Sequence, residues 1–472
     1  MDIKLYGMSI VGNTVFLLRG LTLLALFLLG MNIPKVSLVL PLIVLPSILV
    51  LLWNRKRSLL YLDKTDILIN FFLLFFSMAF YIILWFHGKI ELGRALRYVI
   101  TIQVLYLLGH YVFYLFSREN SFTEELLPVL SITFGFSVFV ALTTSIEVFS
   151  TSSFFIFSRE VSNPWIHNSI PATILSVYSC LGIALVPAAI WLLTCPPKPR
   201  KPYALINIIF LMGIVSLCSS LMLSARSTFI LICGLAGISL VYIVRAGSGI
   251  FRRFSVWIFL LAVFLLALVL IPFFTDLSYF SESKIPILDR LSKNNLGDFR
   301  FRLWLEGLKH VPENLWGGVP YTLSLPFTIP FRLPSITTDY GMYLFTFPQL
   351  LSLKSSYVNY VNFPFHHNLW LDIQYFAGII PLGLLLLFHM LHIKSLFKAI
   401  SAQRNPVLGL IVLCVTISLF FYFMIEKILP GHNKIFMASC FLLAYFRQMG
   451  KAGLSEIAYR RMPGSNPDER LS

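Results

Sequence analysis

Long apolar runs alternate with short polar breaks along almost the whole chain, and one break is far longer than the rest. Twelve runs reach or approach the roughly 20 residues a helix needs to cross the hydrocarbon core of a bilayer. They cover 12–31, 36–53, 66–86, 98–116, 126–146, 171–194, 204–223, 228–244, 255–274, 369–391, 407–426 and 434–446. Lipid offers the backbone no hydrogen-bond partners, so each run is expected to be a helix. The first carries Arg19 in its middle and the last is short, which makes these two the least typical. Between the ninth and tenth runs lies a polar island, 275–368. It is far longer than an ordinary connection, and loops of that length tend to carry function. The expected organisation is nine spans over 1–274, the island, three spans over 369–446, and a polar tail over 447–472. The tail contains Pro463, Gly464 and Pro467 and is expected to be disordered.

Composition narrows the class. Apolar residues make up 57% of the chain and charged residues 12%, with a mean hydropathy of +0.81. A soluble domain carries about twice that charged share, so the pattern is that of an all-α polytopic membrane protein. The formal charge of +16 does not point to nucleic acid, because the basic residues mostly sit in short loops between apolar runs. Arg55, Lys56, Arg57 and Lys64 follow the second run; Lys198, Arg200 and Lys201 the sixth; Arg245, Arg252 and Arg253 the eighth; Lys394, Lys398 and Arg404 the tenth. The exit after the fourth, at Arg118, is weakly basic. By the positive-inside rule both termini are cytoplasmic, and the island and the loops near 87–97, 147–170 and 224–227 face the other side. The first run lacks a small-residue cleavage site after it and is expected to be retained. None of the six cysteines lies in the island and no CxxC occurs, so neither a disulfide framework nor a zinc site is expected.

Four groups of residues have the chemistry of a site. Arg226 lies in Leu223-Ser224-Ala225-Arg226-Ser227-Thr228, between two closely joined spans. It is either an arginine snorkelling to headgroups or an anion clamp, its planar guanidinium suited to bidentate phosphate contact. Within the island, Asp298 to His310 reads as a short amphipathic helix ended by Pro312. Arg300 and Arg302 lie two apart and so on different faces, while Arg300 and Trp304 are four apart and share one. The pair is either a solvated basic face or a second phosphate or sugar contact. The Phe- and Pro-rich stretch that follows (Pro320 to Pro334) is expected to lie on the membrane surface. His367, followed by Asn368, stands at the mouth of the tenth run. It is either a helix-start histidine or a proton acceptor at neutral pH. Asp372 lies five residues deeper, where an acid is costly and usually paired or functional. Arg94 and Arg97, three apart on an outer loop, are lesser candidates for an anionic lipid or glycan.

The order and spacing of these motifs resemble those of the O-antigen ligase and Wzy-type O-antigen polymerase superfamily of bacterial envelope glycosyltransferases. The matching residues are Ser224 to Ser227 opening a span, Arg300-Phe301-Arg302-Leu303-Trp304 followed by Pro312 to Val319, and His367-Asn368-Leu369-Trp370 followed by Phe376-Ala377-Gly378. Together they cover roughly Leu205 to Leu391. The resemblance implies a GT-C-like frame of about twelve transmembrane helices in the bacterial inner membrane, with a long periplasmic loop carrying short helices. It implies a metal-independent, inverting transfer with no cofactor. The donor would be an undecaprenyl-diphosphate-linked glycan. The acceptor would be lipid A–core sugar in the ligase of lipopolysaccharide biosynthesis, or a second lipid-linked unit in the polymerase. Carried over, Arg226 and Arg300 (or its neighbour Arg302) bind the diphosphate, His367 serves the acceptor hydroxyl, and Trp304 and Asn368 support them. A transporter of lipid-linked glycan is the alternative of another class, and it would want charges inside the membrane. The spans hold few, chiefly Arg19 and Asp372.

Overall fold

The computed structural model of the chain describes residues 2–33, 35–54, 62–88, 90–117, 122–151, 160–162, 169–194, 203–223, 226–245, 304, 307–309, 311–312, 315–317, 323–327, 359–363, 368–402, 406–425 and 434–460. Helices α1 (Asp2–Gly30), α2 (Val36–Asn54), α3 (Lys64–Phe86), α4 (Leu92–Phe116) and α5 (Phe122–Thr151) occupy the first five apolar runs. The sixth is broken into α6 (Ala172–Ile183) and α7 (Val186–Thr194), and α8 (Tyr203–Met222) and α9 (Arg226–Arg245) take the next two. The ninth run lies outside the described residues. The tenth is also broken, into α10 (Leu369–Ala377) and α11 (Ile379–Ala402), and α12 (Pro406–Ile425) and α13 (Lys434–Arg460) follow. Seven stretches among the described residues are long and apolar enough to cross a membrane. The chain is a helical polytopic membrane protein.

Both breaks have a local cause. Pro187, in the first turn of α7, has no amide hydrogen to return to the carbonyl four residues earlier. The chain tightens there, with the Leu185 amide donating to Gly182 O at 3.4 Å. The second break is at Gly378, whose φ of 86° suits glycine and strains other residues.

Two short antiparallel ribbons lie among the described residues: β1 (Glu160–Ser162) with β2 (Ser169–Pro171), and β3 (Leu323–Phe327) with β4 (Asn359–Phe363). The second takes in part of the Phe- and Pro-rich stretch. Leu323–Phe327 is a strand, with Leu325 opposite Val361 and Pro326 opposite Tyr360. A two-stranded ribbon has an open edge on each strand, which is where a proline without its donor is tolerated.

α13 is the inner post of the bundle, packed against α4 and α11. Every residue from Ile435 to Gly450 is buried. A helix apolar all round belongs inside rather than against solvent, which explains a last run too short for a typical span. The helix continues to Arg460, so the tail expected to be disordered from 447 is helical to that point, and residues 461–472 lie outside the described ones. Close approach depends on small residues. A side chain on Gly109 of α4 would run into the Phe441 carbonyl and the Ala444 methyl of α13, and Gly30 of α1 and Gly135 of α5 abut in the same way.

Arg19 and Asp66, two charged groups inside the bundle, are paired. Arg19 bonds Glu124 of α5 at 3.1 Å and the Leu115 carbonyl of α4 at 3.0 Å, with its guanidinium over the Phe116 ring. A larger network closes one end of the bundle. Asp63 and Asp66 form a capping box at the start of α3, each carboxylate accepting from the other's amide. Asp66 is fully buried and takes further bonds from Arg447 and Lys451 of α13. Arg447 also donates to Ser395 of α11, and Lys451 reaches Asp63 at 2.9 Å. Gln448 donates to Asp66 at 3.3 Å and contacts His110 of α4, while Tyr114 donates to its carbonyl at 2.9 Å. Four helices meet in one hydrogen-bonded cluster.

Three outcomes test this frame. Gly109→Ala lowers the thermal midpoint of the detergent-purified protein, at a cost of about 1–3 kcal/mol typical of overpacking. Gly20→Ala, where an added Cβ meets nothing within 4 Å, leaves it unchanged or raises it slightly. Arg447→Met leaves a buried carboxylate short of a partner and costs about 3–5 kcal/mol, and Asp66→Leu added to it restores much of the loss; size-exclusion profiles after graded heating read both. Asp63 lies just outside α3. Burial alone would raise its carboxyl, but the hydrogen bonds from Lys451 and the Asp66 amide outweigh it and hold the group below its ordinary 3.8. Its stabilising contribution is therefore full above that value and is lost as pH falls through the lowered one. Asp63→Asn flattens that acid limb of the stability curve.

Candidate functional site

The tenth apolar run does not simply cross the bundle. Asn368, in extended conformation (φ −148°, ψ 118°), starts α10 by accepting from the amides of Trp370 at 3.1 Å and Leu371 at 3.2 Å. Such a cap satisfies donors that a helix start otherwise leaves bare. Asp372 lies in the first turn, where a carboxylate suits the helix dipole. It is fully buried, as is Gln374, and neither is without a partner. After nine residues the helix stops at Gly378 and the chain turns into α11.

α10 then lies antiparallel to α11. The Trp370 indole N–H donates to Nδ1 of His389 at 3.2 Å. At 1.5 Å per residue, Trp370 is about 12 Å from the Gly378 turn and His389 about 16 Å along α11. The two residues therefore stand at similar depth, and the start of α10, with Asn368, is recessed inside the bundle. Its neighbours there are α3, α11 and α12.

The island is fastened to this hairpin at two places. The Ile379 amide donates to Leu315 O at 2.8 Å, and Gly317 lies against the turn at Gly378. A Cβ on Gly317 would sit 2.5 Å from Gly378 N, and one on Gly378 would sit 2.6 Å from the Trp316 carbonyl carbon. Each glycine is required by the backbone of the other segment. Further along, Tyr375 of α10 donates to Gly307 O at 3.1 Å. Trp304, half-buried, begins this part of the island and packs on the core.

Two of the three sequence motifs therefore share one substructure: the Trp304 segment and the Asn368 segment. Arg226 is the first residue of α9, and its side chain lies outside the described residues, as do Arg300, Arg302 and His367 altogether. α9 and α10 both pack on α12. Arg94 and Arg97 are exposed in the first two turns of α4, which begins at Leu92, earlier than the apolar pattern indicates. The sequence reading passed over His389, the role of Trp370, and the pairing of Gly317 with Gly378. Signals existed for two of them: a histidine within an apolar run, and a glycine in each of two segments predicted to meet.

No protein-family model matches the chain, and no curated protein matches it.

Proposed function

We propose that the protein transfers a glycan from undecaprenyl diphosphate to a saccharide hydroxyl at the periplasmic face of the bacterial inner membrane, without metal and with inversion. The observation that carries this reading is the docking of the Trp304 segment onto α10 through Tyr375 and Gly307, 3.1 Å apart. It joins two sequence motifs separated by more than sixty residues. In the sequence His367 immediately precedes Asn368, the cap residue of a recessed helix.

The chemistry asks little of a nucleophilic side chain, because a lipid diphosphate is already a good leaving group. The acceptor oxygen bonds to the anomeric carbon as its proton passes to His367. The bond from that carbon to the diphosphate breaks, and the lipid diphosphate departs with the electron pair. Arg226 and Arg300, or Arg302 in its place, neutralise the charge that gathers on the phosphate. Binding and orientation of the two substrates supply the remainder. The acceptor is lipid A–core for a ligase and a second lipid-linked unit for a polymerase.

The buried charges of α3 and α13 favour a second reading, transport of a lipid-linked glycan, since ionisable residues within spans often line a path. Their bonding to one another makes them a fastening in this structure. Purified protein in vesicles, given a defined lipid-linked donor with either acceptor, separates the readings. Covalent product is expected, with His367→Ala and Arg226→Ala each lowering its rate by about 100-fold or more while still inserting. Asn368→Ala loses a cap worth about 1 kcal/mol and slows transfer less. Translocation of the donor with no covalent product would establish the transport reading instead.

A further inference from the structure

We infer that Trp370 and His389 form a positioning pair that sets how deeply the first turn of α10 is seated, and with it the cap residue Asn368, which follows His367 in the sequence. The inference rests on the transferase reading for its consequence and on the fold alone for its geometry.

The chemistry of the contact is one-directional. An indole N–H only donates, so Nδ1 of His389, 3.2 Å away, accepts with a lone pair and carries no proton. The ring is therefore the neutral tautomer with its proton on Nε2. That atom is buried and has no hydrogen-bond partner among the described residues. The ring is held by aromatic neighbours. It stacks on Phe423 of α12 with planes 15° apart, and it meets Phe420 edge-on at 5.1 Å. A phenyl ring would fit such surroundings without leaving a buried N–H bare. Accepting from Trp370 is the one thing the imidazole does there that a phenyl ring cannot do.

The neighbouring imidazole on α11 has other partners. His392, one turn on, bonds the Phe388 carbonyl at 3.0 Å and the Tyr106 hydroxyl at 3.3 Å. The remaining contacts of α10 with named partners, Tyr375 on Gly307 and the Gly378 turn, lie at its other end. α10 also packs on α3 and α12, and Asp372, buried in its first turn, has partners of its own. The bond from Trp370 adds a directional tie to α11 at the second helical residue, next to the cap. His389 touches no substrate in this scheme and acts through Trp370.

The test uses full-length protein in lipid nanodiscs with His389→Phe, His389→Asn, Trp370→Phe and the double variant His389→Phe/Trp370→Phe. Asparagine carries its oxygen as many bonds from the backbone as Nδ1 and is the conservative variant. Hydrogen exchange of the amides of 369–377 is measured beside steady-state transfer from the lipid-linked donor. Expected are exchange about tenfold faster in both Phe variants, no further increase in the double variant, and protection recovered in His389→Asn. In the same variants kcat falls by up to about 100-fold, the scale of a misplacement near 1 Å, with donor KM little changed. Unchanged exchange in His389→Phe overturns the pair. Faster exchange with unaltered kcat overturns its role in the reaction. If the wild type transfers nothing, the transferase reading falls, and the exchange pattern alone decides whether the pair sets the depth.

Discussion

The fold depends on a carboxylate that has no business in hydrocarbon. Asp66 is fully buried near the start of α3, and removing an ion from water without compensation costs far more than a helix packing contact returns. Arg447, Lys451 and Gln448 of α13 converge on it, and Ser395 of α11 and His110 of α4 are bonded to the same cluster. α3 and α13 cannot slide along one another without stranding a charge, and α4 and α11 would lose hydrogen bonds to the same cluster. That fixes the register of α3, α4, α11 and α13 more firmly than apolar packing, which tolerates small shifts. α10 lies against α3 and α11, so the depth of its recessed start is referred to the same fastening.

The helical frame was legible in the sequence because hydrophobic length is what a bilayer measures. The places where the reading missed were those where protein, rather than lipid, surrounds a segment. α13 is shorter in its apolar part than a lipid-facing span needs to be, yet it is buried throughout from Ile435 to Gly450, and its polar end is satisfied by Asp66 instead of by a loop. Residues 369–391 contain enough apolar length for a crossing, but burial on all sides let nine of them form a separate helix turned back at Gly378. Window hydropathy cannot distinguish these cases, since an interior helix and a lipid-facing one are equally apolar. The pairing of Leu323–Phe327 with Asn359–Phe363 was not legible for a related reason: it is non-local and leaves no periodic signal in either segment.

The site was legible only in part. Asn368 and Trp304 were singled out from motif spacing, and the structure gives both a place, one as a cap and one packed on the core beside the hairpin. His389 carried a sequence signal too, a histidine within an apolar run, but its meaning depends on which residue faces it. Trp370 is nineteen positions earlier, a separation that matters only once α10 folds back along α11. The transporter alternative was weighed on a scarcity of charges in the spans, and that count omitted Asp66 and Arg447 because each stands near the end of its apolar run. Both prove to be deep in protein, and both are neutralised by partners on other helices.

A recessed helix start has a physical consequence that a full crossing lacks. In a crossing helix the N-terminal amides emerge where water screens them. α10 begins instead among α3, α11 and α12, where a weaker dielectric response leaves its dipole less screened. Asn368 satisfies two of those amides and thereby keeps the start stable without a bound ion. Such a device needs its helix held along its length, or the tip gains freedom. Three contacts hold it: the Gly317 crossing at Gly378, Tyr375 on Gly307, and Trp370 on His389. They are spread over the whole length of the helix, and two of them come from the island. The described island residues Gly307, Leu315 and Gly317 and the nine-residue helix therefore pack as one unit, joined at Tyr375 and at the Gly378 turn.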